Sequence, residues 1–288
     1  MTNSTQKIDK RLFIVGCSRS GTTLLQGLLA GHPRIHTFPE TSFFVNAIGI
    51  KRRPLTSIGL STKQAHWAME RFLRRIDREE LISSFPYQPI FIRNAIGSFI
   101  DILDKLSIEA KKDIWVEKSP MHIRFIPYIV KYVDDFSIIH IIRDGRDVVA
   151  SMYDRAVKIP EFFSKQKNLK YNAEYWNKYI KVSRKFINKP NHHFVFYDQL
   201  IEDTPSTLKS LCNNIEIEYD PKIERMTKTA KELLEINEMK WYGRLESPKI
   251  VESKFQKHFD EKTRDEITKS LKLDIIDELK EKVFKKLN

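Results

Sequence analysis

The stretch IVGCSRSGTTLL, residues 14–25, decides the fold. It runs from an apolar segment through a glycine-bearing turn into a helical pattern. A nucleotide-binding P-loop reads G-x-x-x-x-G-K-[ST] in that strand–turn–helix setting. Gly16 and Gly21 stand at the required spacing and Thr23 fills the Ser/Thr place, but Thr22 stands where the lysine belongs. Glycines let the chain turn tightly, so that successive N–H groups point inward at an anion. A helix opening near Thr22 adds its partial positive end. Arg19, Ser20, Gly21, Thr22 and Thr23 are therefore candidate anion binders, with Arg19 supplying a planar cation in place of the lysine.

Outward from this loop, four short apolar runs read as buried strands: residues 12–15, 114–116, 136–142 and 194–196. Runs without polar alternation suit a parallel sheet covered on both faces. Helical stripes separate them: Leu24, Leu25, Leu28 and Leu29; Ile92, Ile96, Phe99, Ile100 and Leu103; Val148, Met152 and Ala156. Strands alternating with helices predict a doubly wound α/β sheet. Ligands in such sheets sit beyond the carboxyl ends of the strands. Residues 45–110 read as a mostly helical insertion or lid, residues 1–10 as a flexible tail, and the chain beyond about residue 204 as mostly helical. No repeat or linker divides the chain, so a single domain over residues 1–288 is expected.

The residues that follow each strand carry the chemistry. W-V-E-K-S-P, residues 115–120, leaves Lys118 at a carboxyl end, with Ser119 as an N-cap and Pro120 as the first helical residue. I-I-R-D-G-R-D-V-V-A-S-M-Y-D-R, residues 141–155, ends a strand at Arg143. A helix from near Asp144 puts Asp147, Ser151 and Arg155 on one face. Arg143, Ser151 and Arg155 could converge on a second phosphate, or Asp144 and Asp147 could neutralise the arginines locally. Tyr197, at the end of the fourth run, could contact a cofactor or pack at the rim.

In two separated motifs the chain resembles the sulfotransferases that use 3′-phosphoadenosine 5′-phosphosulfate (PAPS). C-S-R-S-G-T-T-L-L is similar to that family's loop for the 5′-phosphosulfate. R-D-G-R-D-V-V-A-S is similar to its 3′-phosphate motif, with Arg143 and Ser151 eight apart. W-V-E-K-S-P and V-F-Y-D-Q-L resemble its lysine and tyrosine strands, and the likeness covers roughly residues 11–200. H-P-R-I-H-T-F-P-E-T looks like the tyrosylprotein and bacterial branches, which implies Glu40 as the base, with His122 in reserve. The C-terminal R-K-G-x-x-G motif of the cytosolic branch is absent.

The resemblance implies a P-loop NTPase-like central parallel sheet flanked by helices, and sulfonate transfer from PAPS to a hydroxyl or amine by in-line displacement. Its catalytic residues are Glu40, Lys118 and Arg19. Its co-substrate is held by Arg19, Ser20, Gly21, Thr22, Thr23, Arg143, Ser151, Arg155 and Tyr197. A transferring sulfonate bears one negative charge, so a P-loop lysine and a metal are dispensable. Two other classes are weighed against it. A metal-dependent P-loop kinase would recruit Asp144 to magnesium and prefer ATP. A non-catalytic anion or nucleic-acid binding module would show steep salt dependence and no nucleotide preference.

Composition sets the outer bounds. The 288 residues carry a net charge of +12, from 50 basic and 38 acidic side chains. The excess gathers in residues 154–192, with ten basic and three acidic, and in residues 51–79, with eight and three. This favours an acidic acceptor, although solvated helix faces give the same count. No apolar run approaches the ~18 residues of a membrane span. No secretory leader is evident, and the two cysteines, Cys17 and Cys212, make no disulfide framework or metal-site spacing. A cytoplasmic enzyme that needs neither nucleic acid nor membrane is the expectation.

Overall fold

The computed structural model describes residues 7–49, 58–87, 91–224 and 254–285. A central parallel sheet of five strands is flanked by helices, in the order β2-β3-β1-β4-β5. The strands are β1 (Lys10–Gly16), β2 (Ile35–Thr37), β3 (Ile114–Lys118), β4 (Phe136–Ile142) and β5 (His192–Phe196). Before β4 run the helices α1 (Thr22–Leu29), α2 (Phe43–Ile48), α3 (Gln64–Arg75), α4 (Ile92–Glu109) and α5 (Ile126–Tyr132). After it come α6 (Gly145–Lys158), α7 (Pro160–Phe163), α8 (Leu169–Arg184), α9 (Tyr197–Glu202), α10 (Thr204–Asn214), α11 (Lys254–His258), α12 (Glu261–Ser270) and α13 (Asp274–Phe284). Among the described residues no helix is long and apolar enough to cross a membrane. By their contacts the described residues fall into two compact units: one from residues 7–14, 23–49, 58–87, 91–138 and 220–224, the other from residues 15–22, 139–219 and 254–285.

All four expected strands are present. β2, a three-residue strand that the apolar pattern did not reveal, pairs in parallel with β3. Of the expected tail, residues 1–6 lie outside the described residues, whereas Ile8 is buried and Lys10 opens β1. The described parts of residues 45–110 are mainly helical, and of the expected helical C-terminal part residues 225–253 lie outside the described residues.

In the first unit, Leu12, Phe13 and Ile14 are wholly buried, each such side chain contributing about 1.5–3 kcal/mol. The predicted stripe of α4, from Ile92 to Leu103, is buried throughout. Trp115 meets Phe13 edge-on at 5.2 Å, and Phe43 stacks on Phe99 at 4.1 Å. Asp104 binds Arg11 at 2.6 Å and accepts the Trp115 indole N–H at 2.7 Å, which satisfies both polar groups at the edge of this core. The register sets Ile14 beside Lys118 and Thr37 beside Val116. The carboxyl ends of β1, β2 and β3 thus lie at one edge.

Ser119 holds the cap position and Pro120 opens the helical turn that follows, a 3-10 turn over Pro120–Phe125 before α5, but the Ser119 side chain makes no capping bond. The hydroxyl instead donates to the buried carboxylate of Glu117, 2.5 Å away, a charge-assisted bond, and accepts the Ser42 amide at 3.0 Å in place of an amide of its own turn.

In the second unit, Asp154 of α6 holds α11. Its carboxylate takes Lys254 Nζ at 2.6 Å, Lys158 Nζ at 2.9 Å and His258 Nε2 at 3.2 Å. Burial acts to raise its pKa, but the two ammonium groups outweigh that and hold it at about 2. A folded pKa below the unfolded value gives stability that is complete above about pH 4 and is lost as pH falls through about 2. Asp154→Asn should therefore cost about 1–2 kcal/mol at pH 7, allowing for the part-exposed lysines. Urea unfolding of parent and variant should show that gap at pH 7 and a closing gap at pH 2.

Candidate functional site

The loop after β1 is built on two left-handed residues. Arg19 adopts φ 74°, a region that a non-glycine residue enters at a cost. Gly21 adopts φ 92°, and a Cβ there would lie 2.4 Å from the Tyr197 ring. The missing side chain lets the tyrosine ring lie against the loop. On that ring the Arg143 guanidinium sits, 4.1 Å from the centroid.

The cations of the second unit converge. Arg19 donates from Nε to Ser151 Oγ at 3.1 Å, and Arg143 donates from Nη1 to the Arg19 carbonyl at 3.3 Å. These contacts join residues 132 and 124 positions apart. Arg143 is anchored from behind, where Trp176 Nε1–H donates to its carbonyl at 3.1 Å. Asp147 stands 3.7 Å from Arg143, beyond hydrogen-bond reach. Asp144 caps α6 by accepting from the Arg146 amide and binds the Arg146 guanidinium at 2.5 Å. Arg155, one turn past Ser151, lays its guanidinium 3.5 Å over the Phe163 ring.

Among the described residues, the almost wholly buried Ser20 Oγ and the buried Arg143 Nε find no hydrogen-bond partner. Buried donors left unsatisfied cost about 1–3 kcal/mol each, and a phosphate-bearing ligand offers the acceptors they lack. Residues Arg19, Ser20, Arg143 and Ser151 thus fit an anionic nucleotide. Cys17, inside the same loop, is buried, and burial pushes its thiol well up.

In the first unit a lysine and a carboxylate pair beyond the end of β3. Lys118 Nζ, 5% exposed, donates to Glu40 Oε2 at 2.8 Å, and Ser42 Oγ donates to Glu40 Oε1 at 3.2 Å. Glu40 is about a third exposed and can meet an acceptor. Thr23 opens this unit's share of α1. His122 is wholly buried, with Nδ1 3.0 Å from Glu117 Oε2 and Nε2 accepting the Phe44 amide at 3.2 Å, so both ring nitrogens are engaged inside the fold. Glu117, buried to the same degree, went unread at the sequence level. Its signal was a carboxylate inside a strand otherwise fully buried.

Residues 11–221 match the model of the sulfotransferase family. The protein-tyrosine sulfotransferase of Drosophila melanogaster is 22% identical over 214 residues, 73% of this chain and 38% of that protein. Protein-tyrosine sulfotransferase A of Caenorhabditis elegans is 24% identical over 220 residues, 74% of this chain and 51% of that protein. The chain therefore spans about half, or less, of the length of these two relatives. Among solved structures, the sulfotransferase domain from the Synechococcus PCC 7002 olefin synthase superposes with a TM-score of 0.56 at 18% identity, covering 97% of this chain and 96% of that one, a likeness of fold. The family model runs from β1 past α10, across both the loop and the arginine motif, and the chain belongs to the sulfotransferase family.

Proposed function

We propose that the protein transfers a sulfonate group from PAPS to a hydroxyl or amine acceptor and releases 3′,5′-diphosphoadenosine. PAPS supplies the sulfonate, whose bond to the 5′-phosphate oxygen breaks as the acceptor oxygen or nitrogen bonds to sulfur. Glu40 takes the acceptor's proton, and general-base help of this kind is worth about 10²–10⁴ in rate. Lys118 and Arg19 offset the negative charge that grows on the leaving oxygen. Ser20, Gly21, Thr22, Thr23 and the loop amides hold the 5′-phosphate. Arg143 and Ser151 hold the 3′-phosphate; Tyr197 supports Arg143, and Arg155 assists at longer range.

The observation that carries this reading is the meeting of Arg19, Arg143 and Ser151, from two motifs far apart in sequence, beside unsatisfied donors. Glu40 is preferred to His122 as base because it is accessible while the imidazole is sealed in. The relatives named as protein-tyrosine sulfotransferases put a tyrosine phenol first among acceptors, and the basic excess favours an acidic setting for it.

The test is labelled-PAPS transfer into a panel: an acidic tyrosine peptide, 4-nitrophenol, a sugar, a lipid head group and an amine. Label is expected in one class, together with heat stabilisation by 3′,5′-diphosphoadenosine without magnesium. Stabilisation by ATP with magnesium in preference to the diphosphate, and no transfer of label, would overturn the reading.

A further inference from the structure

Two consecutive residues of β3, Glu117 and Lys118, with Ser119 directly after it and His122 in the following turn, hold the segment that carries Glu40. Lys118 binds Glu40 itself. Glu117 Oε1 accepts from Thr41 Oγ1 at 2.7 Å and from the Thr41 amide at 3.4 Å. Ser119 Oγ donates to Glu117 Oε1 at 2.5 Å and accepts the Ser42 amide at 3.0 Å. Thr41 Oγ1 accepts the Phe43 amide at 3.2 Å. His122 accepts the Phe44 amide and turns its other nitrogen to Glu117. The amides of residues 41–44 are thus accepted by Glu117, Ser119, Thr41 and His122, and of these four acceptors Glu117 is the carboxylate.

The segment needs such holding. Ser42 adopts φ 49°, a left-handed conformation that persists in a non-glycine residue only where its surroundings over-determine it. Beneath it, Phe43 and Phe44 are locked into the aromatic core against Phe99. Above it, the Ser42 hydroxyl reaches back to Glu40. A shift of residue 41 or 42 therefore moves the Glu40 carboxylate.

We infer that Glu117 is a positioning residue that fixes the residue 40–44 segment, and through it the carboxylate of Glu40, in the geometry that sulfonate transfer requires. The inference rests on the reading of Glu40 as proton acceptor. Burial acts to raise the Glu117 pKa, and His122 with the Ser119 and Thr41 hydroxyls outweighs it, so the group is held ionised, below the ordinary carboxylate range. A neutral amide cannot replace it. The imidazole accepts the Phe44 amide at Nε2, so it carries its proton at Nδ1. A glutamine NH₂ facing Nδ1–H sets donor against donor; turned over, it meets the Thr41 amide, a donor that cannot reverse, and requires both hydroxyls to turn round.

Glu117→Gln is therefore expected to lower kcat about 10²-fold, the scale for a misplaced catalytic group, measured with labelled PAPS and the panel acceptor the parent uses fastest. KM for PAPS and heat stabilisation by 3′,5′-diphosphoadenosine should stay at parental values. Because Glu117 acts through Glu40, adding Glu117→Gln to Glu40→Gln should cost nothing further. A kcat within twofold of the parent, or losses that multiply in the double variant, would overturn the inference. Where Glu117→Gln fails to fold, Thr41→Val cuts the tie while leaving the Glu117–His122 pair, and should lower kcat several-fold in the same non-additive way; a parental kcat there overturns it equally. A parent that neither transfers label nor gains stability from the diphosphate removes the sulfotransferase reading together with this one. A parent that does both, beside an unimpaired Glu117→Gln, removes Glu117 alone.

Discussion

Replacing Glu40 by glutamine is expected to cut kcat by about 10²–10⁴-fold while leaving stabilisation by 3′,5′-diphosphoadenosine unchanged. The swap preserves shape, and the amide oxygen can still accept from the Ser42 hydroxyl. What it removes is the proton acceptor and the carboxylate beside Lys118. Lys118 is 5% exposed and Glu40 is its ion-pair partner at 2.8 Å. Part of any loss could therefore come from a displaced ammonium, since removing one partner of a buried pair costs stability as well. Acceptors of graded acidity separate the two effects. Loss of the base slows an acceptor whose proton is hard to remove far more than an acidic one, so the deficit of the variant should shrink toward 4-nitrophenol. A merely displaced Lys118 acts on the leaving oxygen and slows every acceptor alike. If His122→Ala shows that dependence and Glu40→Gln does not, the base is the buried imidazole and the assignment of Glu40 fails.

The parts of this fold that could be read from the chain are those whose cause is local. β1, β3 and β4 stand out as mainly apolar runs without polar alternation because both faces of each are covered. The loop after β1 stands out because Gly21 leaves room for the Tyr197 ring, which no residue with a Cβ could do. β2 stays hidden: three residues, Ile35, His36 and Thr37, are too few to show a period, and their pairing with β3 is what makes them a strand. Ser119 next to Pro120 has the sequence of a helix cap, yet its hydroxyl is drawn to Glu117, a competitor that only the folded chain reveals. Helical spacing sets Arg155 on the face of Ser151, but not which ring its guanidinium will find; Phe163, eight residues on, takes it. The Glu117 network joins residues 41–44 to residues 117–122 across more than seventy positions. No local pattern encodes such a contact, whereas the arginine motif and the loop each carry their own geometry.

Replacing Arg143 by alanine should erase the preference for a 3′-phosphorylated nucleotide. The measurement is the affinity ratio of 3′,5′-diphosphoadenosine to adenosine 5′-phosphate, in parent and variant. A charge-assisted hydrogen bond contributes about 1.5–3 kcal/mol, so the ratio should fall by about 10–10²-fold. Arg143 also props the loop, through its bond to the Arg19 carbonyl and its seat on Tyr197. Its removal should therefore weaken both nucleotides somewhat, but a loosened loop affects the 5′-phosphate they share and cancels in the ratio. Arg143→Lys should recover only part of the preference, because an ammonium keeps the charge but lacks the planar fork and the stacking face. Asp147 is the competing explanation for Arg143, a local ion pair at the start of α6. At 3.7 Å it makes no hydrogen bond, and the buried Nε has no other partner. Asp147→Asn should accordingly leave the ratio high, since a bound 3′-phosphate and not this carboxylate is what Arg143 is placed to meet. Equal ratios in Arg143→Ala and the parent would take Arg143 out of the nucleotide site and leave it as a prop for the loop.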